Sequence, residues 1–567
     1  MRGWLSGWLG ALPLLAIVGV CLVAPVAVLL ARSFVTADGI GLDTWSGLLA
    51  QERNRQALFN SLALGATCAV ISTLVGTPLA WLVSRMTTRT RSTWLGVFNV
   101  ASHFGGVGLA FAYVTALGAF GMITLFAQSL GIDFAAPRRD SFAAMVITYE
   151  YANIPLFVLL ALPAMSIVRE EWYEAAQTAA ATRLQFWRRI GLPVLAPFVL
   201  GGALLSFTWA IGIYGIAFAL AGNSPVPATR LLTLQIGHTI ADDAVTGAAR
   251  AGALSLLLVL IAVVALVAYR LLIRRGLRWF GGHAPAEANV NPFTTSARPG
   301  PVGRLARRLL LAGVSVYLGL PVLALALYSV ATSWTDHPLP DGYTLRYWLT
   351  TFADDRAASA VVTSLSLSAL TTLLTLALVV PAVYWARTVN TRVRTALDLA
   401  AAIPFALPFL VIALALLQFS GMVAPALQGT YPLLLAGYVA ITFPFVYWAV
   451  DGAMAAAGVE RLSQAAAACG ASRWQTLRRV VLPNIRTGLA SGAMLAFATI
   501  VGEFAMVSVL ASSIQTIPVW SAHVLNDRSY PSYAPLAVVT LVVFALLLVM
   551  SVVVARILRG QVVREAA

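Results

Sequence analysis

Two segments of the chain decide its fold: REEWYEAAQTAAATRLQFWRRIGLPVLAP at 169–197 and VERLSQAAAACGASRWQTLRRVVLPNIRTG at 459–488. Each begins with an alanine-rich stretch, which favours a helix. Each then passes through a break of small residues into a short amphipathic stretch with a tryptophan and two adjacent arginines, closed by a proline. Both segments therefore predict a helix-turn-helix that lies outside a bilayer and presents small side chains and arginines to a partner.

Long apolar runs surround these two segments. The chain is 60% hydrophobic and only 10% charged, whereas soluble domains are about 25% charged. A transmembrane helix needs about 20 mostly apolar residues, and twelve segments meet that criterion. They are 9–31, 58–84, 97–127, 142–168, 195–221, 250–272, 306–330, 359–386, 396–420, 430–456, 487–511 and 533–557. The sequence therefore predicts an all-α polytopic membrane protein with an uncleaved first span.

The charged residues indicate the orientation of these spans. The formal net charge is +15, and all 37 lysine-or-arginine positions are arginine. Most of the arginines fall in loops on the same side as the N-terminus, which include 169–194 and 457–486. The positive-inside rule then places both termini and both quoted segments in the cytoplasm. Because the membrane topology accounts for the excess of arginine over acidic residues, we expect no nucleic-acid partner.

The absence of lysine and the wide spacing of the three cysteines exclude several chemistries. A P-loop needs the lysine of GxxxxGK[ST], and Schiff-base catalysis needs a lysine amine. Cys21, Cys68 and Cys469 are far apart and predict neither a disulfide framework nor a zinc site. We therefore expect no catalytic residue and no metal site in this chain, and no ATPase activity by the P-loop route.

The chain also repeats itself. Asn60-Ser61-Leu62 opens the second span as Thr363-Ser364-Leu365 opens the eighth, and each serine precedes a proline by 17 positions. The stretch from 188 to 193 matches the stretch from 478 to 483. Since each half holds an even number of spans, the halves are predicted to be parallel six-helix repeats related by a pseudo-twofold axis along the membrane normal.

The repeat fixes the predicted domain organisation. Residues 1–275 form a first domain and residues 304–567 form a second, each with six spans. Between them, 276–303 is rich in glycine, proline and alanine and has no hydrophobic period, so it is predicted to be a cytoplasmic linker.

The quoted segments resemble the cytoplasmic EAA loop of permease subunits in binding-protein-dependent ABC importers. That signature reads EAA, three residues, Gly, nine residues, Ile, one residue and Leu-Pro. The first copy has Ala180 at the glycine position, and the second has Gln464 at the glutamate position. The resemblance covers essentially the whole chain as two fused domains, most like the fused permeases of ferric-iron and thiamine importers. It implies a fold like that of type I ABC importer permeases, with twelve transmembrane helices.

The resemblance also implies partners and the residues that meet them. Two ATP-binding cassette subunits would bind ATP and Mg and dock on the loops, and an extracytoplasmic binding protein would deliver substrate. The chain itself would lie in lipid, in a bacterial cytoplasmic (inner) membrane. The implied docking residues are Glu174, Ala175, Ala176, Ala180, Arg188, Arg189, Leu192, Pro193, Gln464, Ala465, Ala466, Gly470, Arg478, Arg479, Leu482 and Pro483.

Two glutamates inside predicted spans are candidates for a translocation pathway, because an ionisable group in a span is costly and by default functional. They form two clusters: Tyr149, Glu150, Tyr151 and Asn153 in the fourth span, and Gly502, Glu503 and Phe504 in the eleventh. Gly-Glu-Phe at this place is similar to iron, thiamine and oxyanion permeases. The same glutamates could instead make hydrogen bonds that only fix helix packing.

The substrate and one rival mechanism stay open at this stage. Carboxylates along the route favour a cation, so ferric iron is expected first and thiamine next, with an aminophosphonate, a polyamine or an oxyanion as further candidates. The rival is a proton-driven 6+6 secondary transporter that uses Glu150 or Glu503. It predicts a middle linker but not the two matching loops. A channel or receptor explains neither the loops nor the duplication.

Overall fold

The computed structural model describes residues 8, 10–36, 39–41, 43–222, 224–242, 247–278, 301–334, 337–526 and 533–565. Within these ranges ten helices are long and apolar enough to cross a membrane, and two bent helix pairs raise the number to twelve if each pair is one span. The only strands in this part of the chain are the short antiparallel pair β1 (Val35–Thr36) and β2 (Gly39–Ile40). The predicted all-α polytopic fold is confirmed.

The first half consists of helices α1 to α13. In chain order they are α1 (Leu12–Arg32, with a π turn), α2 (Asp43–Ala50), α3 (Glu52–Ser84), α4 (Thr88–His103), α5 (Gly106–Leu117), α6 (Met122–Ser129), α7 (Phe142–Met165), α8 (Glu170–Thr178), α9 (Arg183–Phe186), α10 (Leu192–Gly212), α11 (Gly215–Ala221), α12 (Leu232–Asp242) and α13 (Gly247–Arg278). A π turn over Trp187–Gly191 joins α9 to α10.

The second half consists of helices α14 to α26. In chain order they are α14 (Pro301–Val330), α15 (Arg346–Thr350), α16 (Asp355–Thr388), α17 (Thr391–Ala406), α18 (Phe409–Val423), α19 (Tyr431–Ala456), α20 (Val459–Ala468), α21 (Arg473–Thr476), α22 (Leu482–Asn484), α23 (Arg486–Val501), α24 (Ala505–Leu510), α25 (Ile517–Asn526) and α26 (Ala534–Glu565). A π turn over Leu477–Val481 joins α21 to α22. The predicted linker falls mostly on residues 279–300, which lie outside the described residues.

The two halves repeat each other in detail. α4 and α17 have the same length and are displaced by 303 positions, as are the starts of α5 and α18. The hydroxyl of Ser61 accepts the backbone N–H of Leu232 at 2.8 Å, and that of Ser364 accepts the N–H of Ile517 at 2.7 Å. Each of these serines, found by sequence at the start of equivalent spans, therefore anchors the first residue of α12 or α25.

Four spans predicted as continuous are broken near their centres. They are the predicted spans 97–127, 195–221, 396–420 and 487–511, and the helices stop at 104–105, 213–214, 407–408 and 502–504. Glycine and proline cause these interruptions. Gly106 has a φ of +68°, which only glycine adopts without strain. Pro408 has no N–H and keeps the preceding Leu407 out of the helical region.

The halves interlock through their first helices. α1 packs against α18 of the second half, and α14 packs against α5 of the first half. Each half thus begins with a helix that crosses to its neighbour and contacts the same broken span there. The four breaks also meet in pairs, with Gly106 against Gly502 and Gly212 against Pro408.

Candidate functional site

The two segments that open the sequence fold in the same way. α8 and α20 are each followed by a residue in the left-handed region, Ala180 with φ 54° and Gly470 with φ 78°. In both loops the next N–H closes the helix: Ala181 donates to the carbonyl of Ala176 at 2.9 Å, and Ala471 to that of Ala466 at 3.0 Å. Alanine in the first copy therefore occupies the same left-handed position that glycine occupies in the second.

The short helices after this turn begin with matching capping boxes. The N–H of Gln185 donates to the Thr182 hydroxyl at 3.3 Å, and the N–H of Thr182 donates back to the Gln185 side chain at 2.8 Å. Ser472 and Gln475 make the same two hydrogen bonds at the same distances. Such reciprocal bonds satisfy N–H groups that a helix start leaves unpaired. A π turn then follows in both copies and ends one residue before Leu192 or Leu482.

Most of the predicted docking residues are exposed. These are Glu174, Ala175, Ala180, Arg188, Arg189, Leu192, Pro193, Gln464, Ala465, Gly470, Arg478, Arg479 and Pro483. Ala176 is buried, and Ala466 and Leu482 are half-buried. These three side chains therefore pack against the rest of the protein more than they face a partner. Each loop thus presents small side chains beside a pair of arginines, as a docking surface requires.

The second loop is tied to the spans by an ion-pair network. Arg387, at the end of α16, is almost fully buried and donates to the Asp451 carboxylate at 2.6 Å and to Glu460 of α20 at 2.8 Å. Asp451 also accepts from Arg394 of α17 at 3.2 Å. The network therefore joins the loop helix to three other helices of the second half.

The first loop is held differently, by aromatic side chains. Ser84 and Leu162 stand where the repeat has Arg387 and Asp451, so the network has no counterpart there. Instead the rings of Trp81 and Trp187 meet edge to face at 4.7 Å. Phe186 and Tyr173 extend this cluster, with ring centroids 5.1 Å apart. Both loops carry a tryptophan, but Trp187 packs in this cluster while Trp474 is exposed.

The central breaks of the fifth and eleventh spans meet each other. Gly212-Ile213-Tyr214 and Gly502-Glu503-Phe504 are displaced by the same 290 positions as the loops. The rings of Tyr214 and Phe504 stack with centroids 5.6 Å apart and planes 20° apart. Phe218 packs on the same Phe504 ring at 5.0 Å. The predicted set included Phe504 but missed Tyr214, although the repeat pairs the two.

The backbone approaches closely around this stack. A Cβ added to Gly106 would lie 2.7 Å from the carbonyl oxygen of Gly502. At the equivalent place, a Cβ on Gly212 would lie 3.4 Å from the ring of Pro408. The third span of each half thus packs on the break of the other half. In this conformation the centre between the halves is closed by aromatic rings and backbone.

The sequence predicts Glu503 inside a continuous span, but the residue lies in the break between α23 and α24. Its side chain is buried, and one carboxylate oxygen accepts the N–H of Met506 at 2.8 Å. It therefore caps the start of α24, where a negative charge is stabilised by the helix dipole. Ile213 occupies the equivalent place in the first half, so this acid belongs to one half only.

Glu150 lies away from this break, on α7. Its carboxylate accepts the Ser72 hydroxyl of α3 at 2.7 Å, and its side chain is buried. Tyr149 reaches the centre, because its hydroxyl donates to the carbonyl of Ile213 at 3.2 Å. Tyr151 instead donates to the carbonyl of Leu318 on α14. The amide of buried Asn153 has no hydrogen-bond partner among the described residues. The two glutamates thus do not form one site.

The described ranges contain no cluster of side chains that could bind a metal ion. No group of three or more histidine, cysteine, aspartate or glutamate side chains is placed to hold an ion.

Comparison with known proteins gives the family context. Residues 378–562 match the family described as binding-protein-dependent transport system inner membrane component. The molybdenum transport permease ModB of Azotobacter vinelandii is 33% identical over 185 residues, which are 33% of this chain and 80% of ModB. The probable ABC transporter permease y4fN of Sinorhizobium fredii is 25% identical and covers 88% of this chain and 86% of its own length. The spermidine/putrescine permease PotB of Haemophilus influenzae is 26% identical over 35% of this chain and 72% of PotB.

Proposed function

The chain belongs to the inner-membrane components of binding-protein-dependent transport systems, and from this premise we propose that it is the complete transmembrane unit of an ABC importer. Residues 1–275 and 304–567 would be its two permease domains, joined by the linker at 276–303. The near full-length similarity to y4fN supports a single chain that carries both domains. Both termini and both loops would face the cytoplasm.

The observation that carries this proposal is the doubled loop. Helix, left-handed turn, capping box, π turn and Leu-Pro recur in the same order 290 positions apart. A protein driven by a proton gradient has no need of two such exposed loops. A pair of identical ATP-binding subunits does, because each subunit needs its own docking surface.

The structure also supports a path by which the docked subunits would act. The helix that follows the first loop is continuous from Leu184 to Gly212 and ends at the break that holds Tyr214. In the second half, α23 runs from Arg486 to Val501 and ends at the break that holds Phe504. Movement of the first loop would therefore be carried by one helix to Tyr214, and movement of the second would pass a 78° bend before α23 carries it to Phe504. Separation of the rings would open the pathway by alternating access.

For the substrate we propose a small oxyanion. ModB is named as a molybdenum permease, and molybdenum in neutral water is the tetrahedral dianion molybdate. The two carboxylates differ as evidence for a cation. Glu503 is engaged as a helix cap, whereas Glu150 accepts from Ser72 with one oxygen and keeps a second buried oxygen without a partner among the described residues. Ferric iron and thiamine, expected first from sequence, rank below an oxyanion because of the similarity to ModB.

A cationic substrate is the second candidate. PotB is named as a spermidine and putrescine permease. Beside Glu150, the unpartnered amide of buried Asn153 offers polar atoms within the spans. A polyamine, ferric iron or thiamine would be drawn to such a carboxylate.

Docking is tested by co-purification with the ATP-binding subunits encoded at the same locus. Glu174 and Gln464 are equivalent, exposed and free of backbone strain, so Glu174→Arg with Gln464→Arg changes the surface without changing the turns. We expect the double variant to lose the subunits. Arg346→Glu, an exposed change at the opposite end of the molecule, is the matched control and should retain them.

Transport is tested in proteoliposomes with the binding protein of the same locus. Uptake of molybdate or sulfate that requires ATP and the binding protein supports the proposal, with spermidine, thiamine and ferric iron as competing substrates. ATP-driven uptake of a cation alone would overturn the oxyanion but leave the importer. Uptake on a proton gradient without ATP would overturn the importer.

A further inference from the structure

A pocket of about 240 Å³ lies at the end of the first half that is opposite to the loops at 169–197 and 459–488, which we call the coupling loops. Its lining includes Arg53 of α3, Arg230 before α12, and His238, Gln235 and Ser224. Among the residues that the structure describes, the lining contains two guanidinium groups and no carboxylate. Because even-numbered spans all run towards the coupling loops, the start of α3, with Arg53, lies on the opposite side of the membrane.

The two arginines are held in place by neutral partners. Arg53 contacts Nδ1 of His238 at 3.1 Å, and Nε2 of that histidine contacts the carbonyl of Gly222 at 2.6 Å. The carbonyl can only accept, so Nε2 carries the hydrogen and Nδ1 accepts from Arg53. Arg230 donates to the side-chain oxygen of Gln56 at 2.8 Å. These partners orient both guanidiniums without neutralising them, and each keeps further N–H donors.

Two acidic side chains that the structure describes near the pocket make hydrogen bonds of their own. Glu52 directly precedes the lining residue Arg53, and its side chain accepts a hydrogen bond from Gln56 at 2.7 Å. Asp140 pairs with Arg138 at 3.1 Å and accepts the Ser224 hydroxyl at 3.0 Å. The hydrogen bond from Arg138 lowers the pKa of the Asp140 carboxyl, so this acid stays ionised as part of a neutral pair. Of the charged side chains that the structure describes here, Arg53 and Arg230 outnumber Glu52, so this part of the pocket carries a net positive charge.

The second half does not repeat this pocket. Arg356 stands at the place of Arg53, and His523 at the place of His238. At the place of Arg230, fixed by the matching serine bonds to α12 and α25, the chain has Gln515. One guanidinium of the pair is therefore lost in the second half.

The pocket is also close to the central stack. Ala221, one of its lining residues, ends α11, and Tyr214 precedes the start of the same helix. Seven helical residues span about 10 Å. An anion held in the pocket would thus lie about one short helix above the ring of Tyr214.

We propose that this pocket binds a tetrahedral oxyanion between Arg53 and Arg230. It receives the substrate on the outer side of the first half before the central stack opens. This assignment rests on the oxyanion transport proposed above and adds its entry site. Two guanidiniums in one pocket give charge-assisted, fork-shaped hydrogen bonds that bind oxyanions and repel cations.

The test measures sulfate and molybdate binding to the full chain with its ATP-binding subunits, without the binding protein, in nanodiscs of zwitterionic lipid. The variants are Arg53→Gln, Arg230→Gln and the pair, and Arg356→Gln is the matched control. A charged hydrogen bond contributes about 1.5–3 kcal/mol, so each single change should weaken binding about 10- to 100-fold. The control should bind as the wild type does.

Three outcomes would overturn the proposal. The double variant could bind both anions as well as the wild type. Anions could fail to bind in zwitterionic lipid while phosphatidylglycerol is retained only by the wild type, which would assign the pocket to a lipid phosphate. The arginine changes could release the binding protein and leave anion binding intact, which would make the pocket a protein contact. Retained co-purification with the ATP-binding subunits separates all three from a failure of the importer itself.

Discussion

The rings of Tyr214 and Phe504 stack on each other at 5.6 Å, and the two residues occupy equivalent positions in the two halves. The stack therefore lies at the pseudo-twofold axis that relates the two halves, where a pathway between them has to pass. Each ring follows directly on a helix that leads back to its own coupling loop. In the importer that we propose, opening of the pathway and movement of the loops would be joined at this pair.

Phe504→Ala should loosen the closed state. An aromatic pair contributes about 0.5–1.5 kcal/mol beyond its buried area, and Phe504 makes two such contacts, with Tyr214 and Phe218. We expect the variant to leak small solutes from proteoliposomes and to hydrolyse ATP without proportionate transport. Phe59→Ala, which removes a highly exposed ring on α3, is the control. Equal leakage in both variants would refute a sealing role.

The first coupling loop should become more stable when Ala180 is replaced by glycine. Alanine at φ 54° carries a cost of about 1–2 kcal/mol that glycine avoids, less the entropy that glycine loses on folding. Ala180→Gly should therefore raise the free energy of local opening of the first loop by a net of up to about 1 kcal/mol. Gly470→Ala should lower the free energy of opening of the second loop. Hydrogen exchange at the N–H groups of Ala181 and Ala471 reports these openings directly. Changes of the same sign in both loops would contradict the shared turn.

Much of this architecture could be predicted from the sequence because it depends on local patterns. Apolar runs gave the spans, and the signature of alanines, turn and Leu-Pro gave both loops. The breaks were harder, since they fall inside apolar runs that read as continuous. Gly106 and Pro408 are visible in the sequence, but their effect depends on the backbone that packs against them from the other half.

The site was predicted only where its residues are adjacent in the chain. The repeat pairs Gly212-Ile213-Tyr214 with Gly502-Glu503-Phe504, but nothing in the sequence predicts that the rings of Tyr214 and Phe504 stack on each other. Arg387 and Arg53 were counted only as charges that indicate topology. Their contacts, with Asp451 and with His238, join elements that are far apart in sequence and become visible only in the folded chain.

Glu503 can be tested for its two possible roles by paired substitutions. Glu503→Gln keeps a side-chain oxygen that can accept the Met506 N–H, whereas Glu503→Ala removes the cap at a cost of about 1 kcal/mol. If the carboxylate only caps α24, the glutamine variant should transport as the wild type does and the alanine variant should be less stable. Substrate uptake and thermal stability measure the two effects. Loss of uptake in the glutamine variant at unchanged stability would restore the pathway role expected from the sequence.

Arg387→Met should detach the second coupling loop from its spans. Removal of one partner from a buried ion pair typically costs about 3–5 kcal/mol, because the carboxylate of Asp451 is left without its main partner. We expect a lower unfolding temperature in detergent and more ATP hydrolysed per solute transported. Arg394→Met removes the exposed arm of the same network, which should contribute at most about 1 kcal/mol. Similar effects of the two variants would show that burial is not what gives Arg387 its role.

The attachment of α20 should weaken in acid. Burial of Glu460 opposes ionisation, but hydrogen bonds from its own backbone and from Arg387 outweigh it and hold the pKa of this carboxyl below its usual range. A depressed pKa in the folded state means that the contact is fully present above the ordinary glutamate pKa of about 4.3. It is lost as the pH falls through the lower folded value. Hydrogen exchange of α20 should therefore accelerate below about pH 4 relative to α8, whose aromatic contacts with Phe186 do not titrate there. Glu460→Gln should remove this pH dependence, and a variant that keeps it would assign the effect to another acid.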